Sequence, residues 1–311
     1  MTANVLEHLL RGDPAPQPCD SVNEWWPGYR AIGERWSAPI ERALAGGFGA
    51  DRMAWAFSAG YQAALHALVP GLPDAAMCAF CVTEAAGNSP RAIQATLARD
   101  ANQPALLRLS GHKKWSTVGA QSGVLLVAAR DAGGGERPCI RLVRVRANAP
   151  GLFLQPLPPT RFIPEAPHAE VHLENVAIAA TDVLAGDGYD AYVKPFRTVE
   201  DVHVNAAILA YLLREARARR WPAAWVEQVA AGLATFIEIT GRPADSPVTH
   251  VALAGALRQG ARLIEEAEAH WREAPADAAA QRWARDRVLL GVAQSARDQR
   301  IARAWERLTP T

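Results

Sequence analysis

The sequence is poor in several things at once. Its 33 basic and 32 acidic residues leave a net charge of +1, so whole-chain electrostatics give no reason to expect a polyanionic partner such as nucleic acid. Only three of the basic residues are lysine: Lys113, Lys114 and Lys194. No run approaches the ~18–20 uninterrupted apolar residues a membrane-spanning helix needs, and the N-terminus lacks the basic-then-apolar layout of a secretory signal. A cytoplasmic protein without membrane insertion is the expectation. Cysteine is scarce too: Cys19, Cys78, Cys81 and Cys139. The pair Cys78-Ala-Phe-Cys81 has the spacing of a redox or zinc motif. Yet the run from Met77 to Val82 is apolar or small throughout, and no second pair exists to complete a tetrahedral set. The pair reads as a buried strand with its thiols as small hydrophobes, and no metal site is expected.

What the chain does have is apolar content. Half of its 311 residues are hydrophobic, enough for a substantial core, and the length predicts two or three folded units. The first forty-odd residues read as irregular, because Pro14, Pro16, Pro18 and Pro27 interrupt any helical period. Asp51 is a reasonable N-cap for an alanine-rich helix to Leu68, closed by Pro70-Gly71, so a helical N-terminal unit is expected over 1–75. From 76 to 185 the pattern becomes short apolar runs at 77–83, 105–109, 123–129, 139–145, 151–155 and 169–178. Turn residues such as Gly133-Gly134-Gly135, Pro158-Pro159 and Pro164 punctuate them, which predicts an antiparallel β-domain with hairpins. Residues 186–311 are helical in period. Helices are predicted around Val204 to Leu212, from Trp221-Pro222 to Gly241, from Val248 to Trp271 and from Ala276 to Leu308, joined by short loops as in an antiparallel four-helix bundle. The fold class is therefore α+β. No internal repeat or low-complexity linker interrupts it.

Two segments carry possible chemistry. In Ala79-Phe80-Cys81-Val82-Thr83-Glu84-Ala85-Ala86-Gly87-Asn88-Ser89 a buried strand runs into a polar loop, whose amides and hydroxyls can hydrogen-bond a ligand. In Leu109-Ser110-Gly111-His112-Lys113-Lys114-Trp115-Ser116-Thr117 a Gly-turn leads into a strand. Two residues apart there, Trp115 and Thr117 share a face, so a flat cofactor has an indole to lie against and a hydroxyl to bond. The alternative is that Trp115 is a core or interface residue.

Taken together and in this order, the two segments resemble the flavin-binding β-domain of acyl-CoA dehydrogenases. Thr83, Glu84 and Ser89 match a Thr-Glu-Pro-x-x-Gly-Ser pattern, and Gly111, Lys113, Trp115, Ser116 and Thr117 match Gly-x-Lys-x-Trp-Ile/Ser-Thr. The stretch Val171 to Val176 followed by Asp182 to Gly186 resembles the strand that leads out of that domain. The resemblance implies an acyl-CoA dehydrogenase-like fold, with a shortened N-terminal unit and a bundle truncated at its C-terminus. It also implies FAD as cofactor, with Cys81, Thr83, Trp115 and Thr117 against the flavin, and Ser89 near substrate or flavin.

Desaturating an acyl thioester requires a carboxylate to take the α-proton. In the segment Arg297 to Leu308, Glu306 falls on the family's usual position for it, though Arg307-Leu308 replaces the expected Gly-Thr, and Glu306 alternatively reads as a solvated partner of Arg300 or Arg303. The family's Gln-x-x-Gly-Gly loop is missing before Arg297. Glu200 and Asp201, on the first bundle helix, are the reserve bases. The family's substrate-binding arginine is absent near Val202, where His203 stands as a substitute or as a locally satisfied helix residue. The implied partners are an acyl-CoA or acyl-carrier thioester, an electron-transfer flavoprotein, and further copies of the chain in a homo-oligomer or a homologous subunit in a heteromer. Two other readings are a non-catalytic or half-site subunit and a flavin monooxygenase on the same scaffold.

Overall fold

A computed structural model describes residues 4–103, 105–133 and 139–309, so Gly134 and Gly135 lie outside the described residues. The chain forms two compact units. One comprises the residues up to Pro70, 161–165 and those from Arg197 onward; the other comprises Gly71–Thr160 and Ala166–Phe196. Among the described residues no helix is long and apolar enough to cross a membrane.

In the helical unit the N-terminal segment is more ordered than its prolines predict. It holds α1 (Val5–Arg11), α2 (Val22–Arg35), α3 (Pro39–Gly49) and α4 (Met53–Leu68). Helix α2 continues past Pro27. The lost backbone bond is outweighed by aromatic packing: Trp25 stacks on Tyr29 at 4.9 Å and on Trp55 at 5.6 Å between ring centroids, and all three are buried. Asp51 does not cap α4. The cap position is Arg52, and the buried Asp51 carboxylate is engaged instead by the Arg52 guanidinium at 2.8 Å.

The later helices are α5 (Lys194–Arg219), α6 (Ala223–Thr240), α7 (Pro247–Arg272), α8 (Ala278–Asp286), α9 (Leu289–Val292) and α10 (Gln294–Leu308). A single helix is expected from Ala276 to Leu308, but the chain makes three. No proline marks the break. It follows Asp286, which is fully buried and accepts a hydrogen bond from the backbone N–H of Ile163 at 2.7 Å and from Arg285 at 2.6 Å. Long-range bonding has set the end of α8. Close approach governs the front of the same unit, where a Cβ on Gly47 would lie 2.1 Å from the Ala207 carbonyl oxygen, and one on Gly60 would lie 2.5 Å from the Val204 Cα.

The second unit is built on β1 (Cys78–Cys81), β2 (Thr96–Arg99), β3 (Leu106–Thr117), β4 (Val124–Asp131), β5 (Ile140–Arg146), β6 (Leu152–Pro156) and β7 (His168–Ala179). Strand β4 pairs with β5 along one edge; along the other it pairs first with β1 and then with β2, both parallel. The remaining pairings are antiparallel and run β2-β3-β7-β6. One face of the sheet is apolar and sealed, with Cys81, Leu109, Leu125, Val127, Val171 and Leu173 among its core. The other face of β7 is half-exposed at His168, Glu170 and His172, as a two-residue period requires. Strand β2 is absent from the sequence-predicted runs, and Gly111 lies inside a strand rather than at a turn. Its φ is +146°, and a Cβ there would sit 2.4 Å from that of Ala95, so glycine is required by the passage of the chain leading into β2.

Buried on the core side is one ion pair. Lys113, with no solvent exposure, donates from Nζ to Glu84 Oε1 at 2.6 Å and to the Val82 carbonyl at 3.4 Å. The same carboxylate accepts from the amides of Gln94 at 2.8 Å and Ala95 at 3.0 Å. Burial lowers the pKa of Lys113, and the hydrogen bond and charge of Glu84 oppose the shift.

Two stability outcomes are expected, each read by thermal or urea unfolding. Gly47→Ala should destabilise by about 1–3 kcal/mol because overpacking against backbone outweighs the ~1 kcal/mol helix-propensity gain, whereas Gly49→Ala, which meets nothing within 4 Å, should be neutral or better. Lys113→Met should destabilise by about 3–5 kcal/mol by leaving Glu84 buried without its cation, and adding Glu84→Gln should recover part of the loss.

Candidate flavin-facing surface and carboxylates

The two sequence motifs lie side by side in the sheet unit. Besides the Lys113–Glu84 pair, the Lys114 amide donates to the Thr83 carbonyl at 2.8 Å, which fixes Thr83 next to the segment carrying Trp115. Strand β3 then bulges. Lys113 pairs with Val171 but Ser116 pairs with Ala169, so three steps on β3 match two on β7. The extra residue lets both Lys113 and Ser116 point to the buried side and turns Trp115 outward, with φ of 58° and 58% of its surface exposed. A tryptophan in the left-handed region carries about 1–3 kcal/mol of backbone strain, a cost that concentrates at functional sites.

Thr117 pairs directly with His168, and the His168 ring meets the Trp115 indole edge-on at 6.2 Å between centroids. Indole, imidazole and threonine therefore share the outer face. His168 is absent from the sequence-predicted site. The signal for it was available in the alternation His168-Ala169-Glu170-Val171-His172, whose odd-numbered members are buried. Burial lowers its pKa, which keeps the imidazole neutral at pH 7. Thr83 and Thr117 are half-buried, and Ser89 is exposed on the loop after β1, where its hydroxyl accepts from the Ala92 amide at 3.3 Å.

Cys81 does not belong to this surface. It is fully enclosed in the core of the sheet unit, and burial pushes its thiol pKa up to about 11, so it supports the motif strand from beneath and offers a ligand neither thiolate nor accessible backbone.

In the helical unit the carboxylates separate by environment. Asp201 is a clamp rather than a base. It takes Arg297 at 2.7 Å on one oxygen and Arg300 at 2.7 Å on the other, tying α5 to α10. Glu306 is exposed on the last turns of α10, because Ala304 is the residue that segment buries, so it lacks the dry surroundings a base needs. His203 is satisfied locally. Its Nδ1 bonds the Val199 carbonyl at 2.8 Å, and burial pushes its pKa down to about 4, which removes it as a cationic substitute for the missing arginine. Glu200 differs from all of these. Burial raises its pKa to about 7; Asp201 adds to the shift, while Arg197 and Arg297 oppose it.

The surface is apt for a planar ring with polar edges, since it offers an accessible indole plane flanked by hydroxyls. In sequence, residues 79–176 match the middle domain of acyl-CoA dehydrogenases. None of the curated proteins matches the chain. Among solved structures, glutaryl-CoA dehydrogenase from Mycobacterium smegmatis, in complex with FADH2, is similar at 14% identity over 97% of this chain and 92% of its own, with a TM-score of 0.65. Butyryl-CoA dehydrogenase from Megasphaera elsdenii is similar at 15% identity, 97% and 89% coverage and a TM-score of 0.65. A chain from the electron-transferring flavoprotein structure of Acidaminococcus fermentans is similar at 14% identity, 91% and 88% coverage and a TM-score of 0.67. Residues 79–176 thus match the middle domain of acyl-CoA dehydrogenases in sequence, and the fold is shared with solved acyl-CoA dehydrogenases along nearly the whole length of the chain.

Proposed function

We propose that this chain is an FAD-dependent oxidoreductase that desaturates the α,β-bond of an acyl thioester, coenzyme A-linked or carrier-linked, and hands the electrons to an electron-transfer flavoprotein. The observation that carries the reading is the strained, exposed Trp115 beside Thr117 and His168 on one sheet face. A buried indole would be core; one turned outward by a bulge at a backbone cost calls for a ligand. When bound, FAD supplies the acceptor for the substrate's β-hydride. Trp115 offers the ring a plane to pack on, and the hydroxyls of Thr117 and Thr83 can donate to or accept from its heteroatoms. Ser89, accessible on its loop, is assigned to the substrate or the flavin edge.

We assign the base role to Glu200. A general base works best with a pKa near the working pH, and burial has moved this carboxyl to about 7. Glu200 takes the α-proton onto a carboxylate oxygen in its ionised form. Asp201 serves by holding α10 through Arg297 and Arg300. The second reading, a half-site subunit within a heteromer, is favoured by a specific observation: Glu306, on the family's usual position for the base, is exposed. Turnover by the isolated homo-oligomer with an acyl-CoA and an artificial acceptor rules that reading out.

Two outcomes are expected. Purified protein should take up FAD in a spectroscopic titration, and Trp115→Ala should weaken the uptake by roughly 3–10-fold, from the ~0.5–1.5 kcal/mol that ring stacking adds beyond area; a chain that takes up no FAD ends this assignment. Bleaching of the flavin by acyl-CoA should rise with pH through about 7 and then level, because only the ionised Glu200 accepts the proton. Glu200→Gln should slow it by about 10²–10⁴-fold with FAD binding retained, and an unchanged rate would move the base elsewhere.

A further inference from the structure

The outer face of the β3–β7 pair holds a cluster that flavin binding does not use. His112 and His172 stand directly opposite one another across the strands, their rings stacked at 18° with centroids 4.1 Å apart. Glu170, two residues before His172, lies on the same face. Its Oε2 is 2.8 Å from His112 Nε2 and 3.7 Å from His172 Nε2, and its Oε1 is 3.6 Å from Lys114 Nζ. One ligand-capable atom from each of the three residues falls within 4.8 Å of the others.

A surface histidine–glutamate hydrogen bond is ordinary. The third member is not. His172 Nε2 is buried and has no hydrogen-bond partner among the described residues, a state that buried ring nitrogens seldom occupy. A single proton satisfies only the His112–Glu170 contact. A cation placed among the three atoms would satisfy all of them once the two stacked rings turn so that their nitrogen lone pairs converge on it. Around a tetrahedral ion with ~2 Å bonds the ligand atoms stand about 3.3 Å apart, between the two contacts already present. Two imidazoles and one carboxylate suit late first-row divalent ions rather than calcium or magnesium, which prefer all-oxygen shells. The histidines project from adjacent strands of a rigid sheet, so little ordering is needed on binding. Lys114 holds the second carboxylate oxygen, leaving Oε2 for the ion.

We propose that His112, Glu170 and His172 form a binding site for a divalent transition-metal ion of the zinc class, with at least one coordination position left to water. The three side chains are half-exposed, at 39%, 20% and 38%, so the cluster lies at the sheet surface, and a turn of the His172 ring brings its buried Nε2 to an incoming ion. The expectation of no metal came from the cysteines, and they stay outside the site. Lys114 is the opposing element, since its charge repels the ion while it orients the carboxylate.

The test is equilibrium dialysis of chelator-treated protein against Zn²⁺, with Co²⁺ as a spectroscopic probe and flavin content recorded in parallel. One Zn²⁺ per chain is expected, together with visible d–d bands from bound Co²⁺. His112→Gln, His172→Gln and Glu170→Gln should each weaken binding by at least about 10–100-fold while unfolding like wild type in the absence of metal. Lys114→Met should tighten binding. Absence of stoichiometric Zn²⁺ binding, or binding unchanged in both histidine variants, overturns the site. Should a histidine variant fail to fold, Lys114→Met decides: tighter binding supports the site, and unchanged binding overturns it. Zinc without flavin leaves this proposal standing and sinks the oxidoreductase reading; flavin without zinc does the reverse.

Discussion

The sheet unit is organised around one buried ion pair. Taking Lys113 wholly out of water costs several kcal/mol, and that cost is offset only if a carboxylate meets it and the remaining lone pairs are used. Glu84 does both, accepting the ammonium and the amides of Gln94 and Ala95. The loop after β1, the start of β2 and the middle of β3 are thereby fixed by one cluster. The bulge follows from the same constraint. Lys113 and Ser116 both point inward, and the residue that cannot join them, Trp115, is turned to the outer face. The exposed indole is a consequence of the charge buried beneath it.

In the helical unit the same logic assigns different fates to neighbours. Glu200 and Asp201 are adjacent on α5, yet Asp201 is neutralised by two arginines from α10 and Glu200 is left to respond to burial. A carboxylate engaged by two guanidiniums holds structure; one that burial pushes toward neutrality is available for proton transfer. The outer sheet face shows a third arrangement, in which Glu170 is pushed up by burial but held below the usual carboxylate range by the His112 hydrogen bond and the charges of His112 and Lys114.

Much of this is legible in sequence where the pattern is local. The change from helical to two-residue period near Met77, and back after Gly186, marks where strands begin and end, and the two motifs identify the strand and loop that meet. The misreadings have one cause. Intrinsic preference points to a helix break at Pro27 and a cap at Asp51, and aromatic stacking in α2 and the Asp51–Arg52 pair override it. The break after Asp286 and the strand at 96–99 depend on partners more than a hundred residues away or in a neighbouring strand, which no local window contains.

The sequence by itself determined the class of fold and the match of residues 79–176 to an acyl-CoA dehydrogenase middle domain, because these follow from periodicity and from short motifs whose members are close in the chain. Only the tertiary structure decided which side chains are accessible. Cys81 is enclosed in the core, Asp201 is clamped by two arginines, His203 is bonded to its own helix and Glu306 is exposed, while His168, His112, Glu170 and His172 are drawn onto one face. The physical reason is that burial and charge pairing, which set what a carboxylate, thiol or imidazole can do, depend on neighbours brought together from distant parts of the chain.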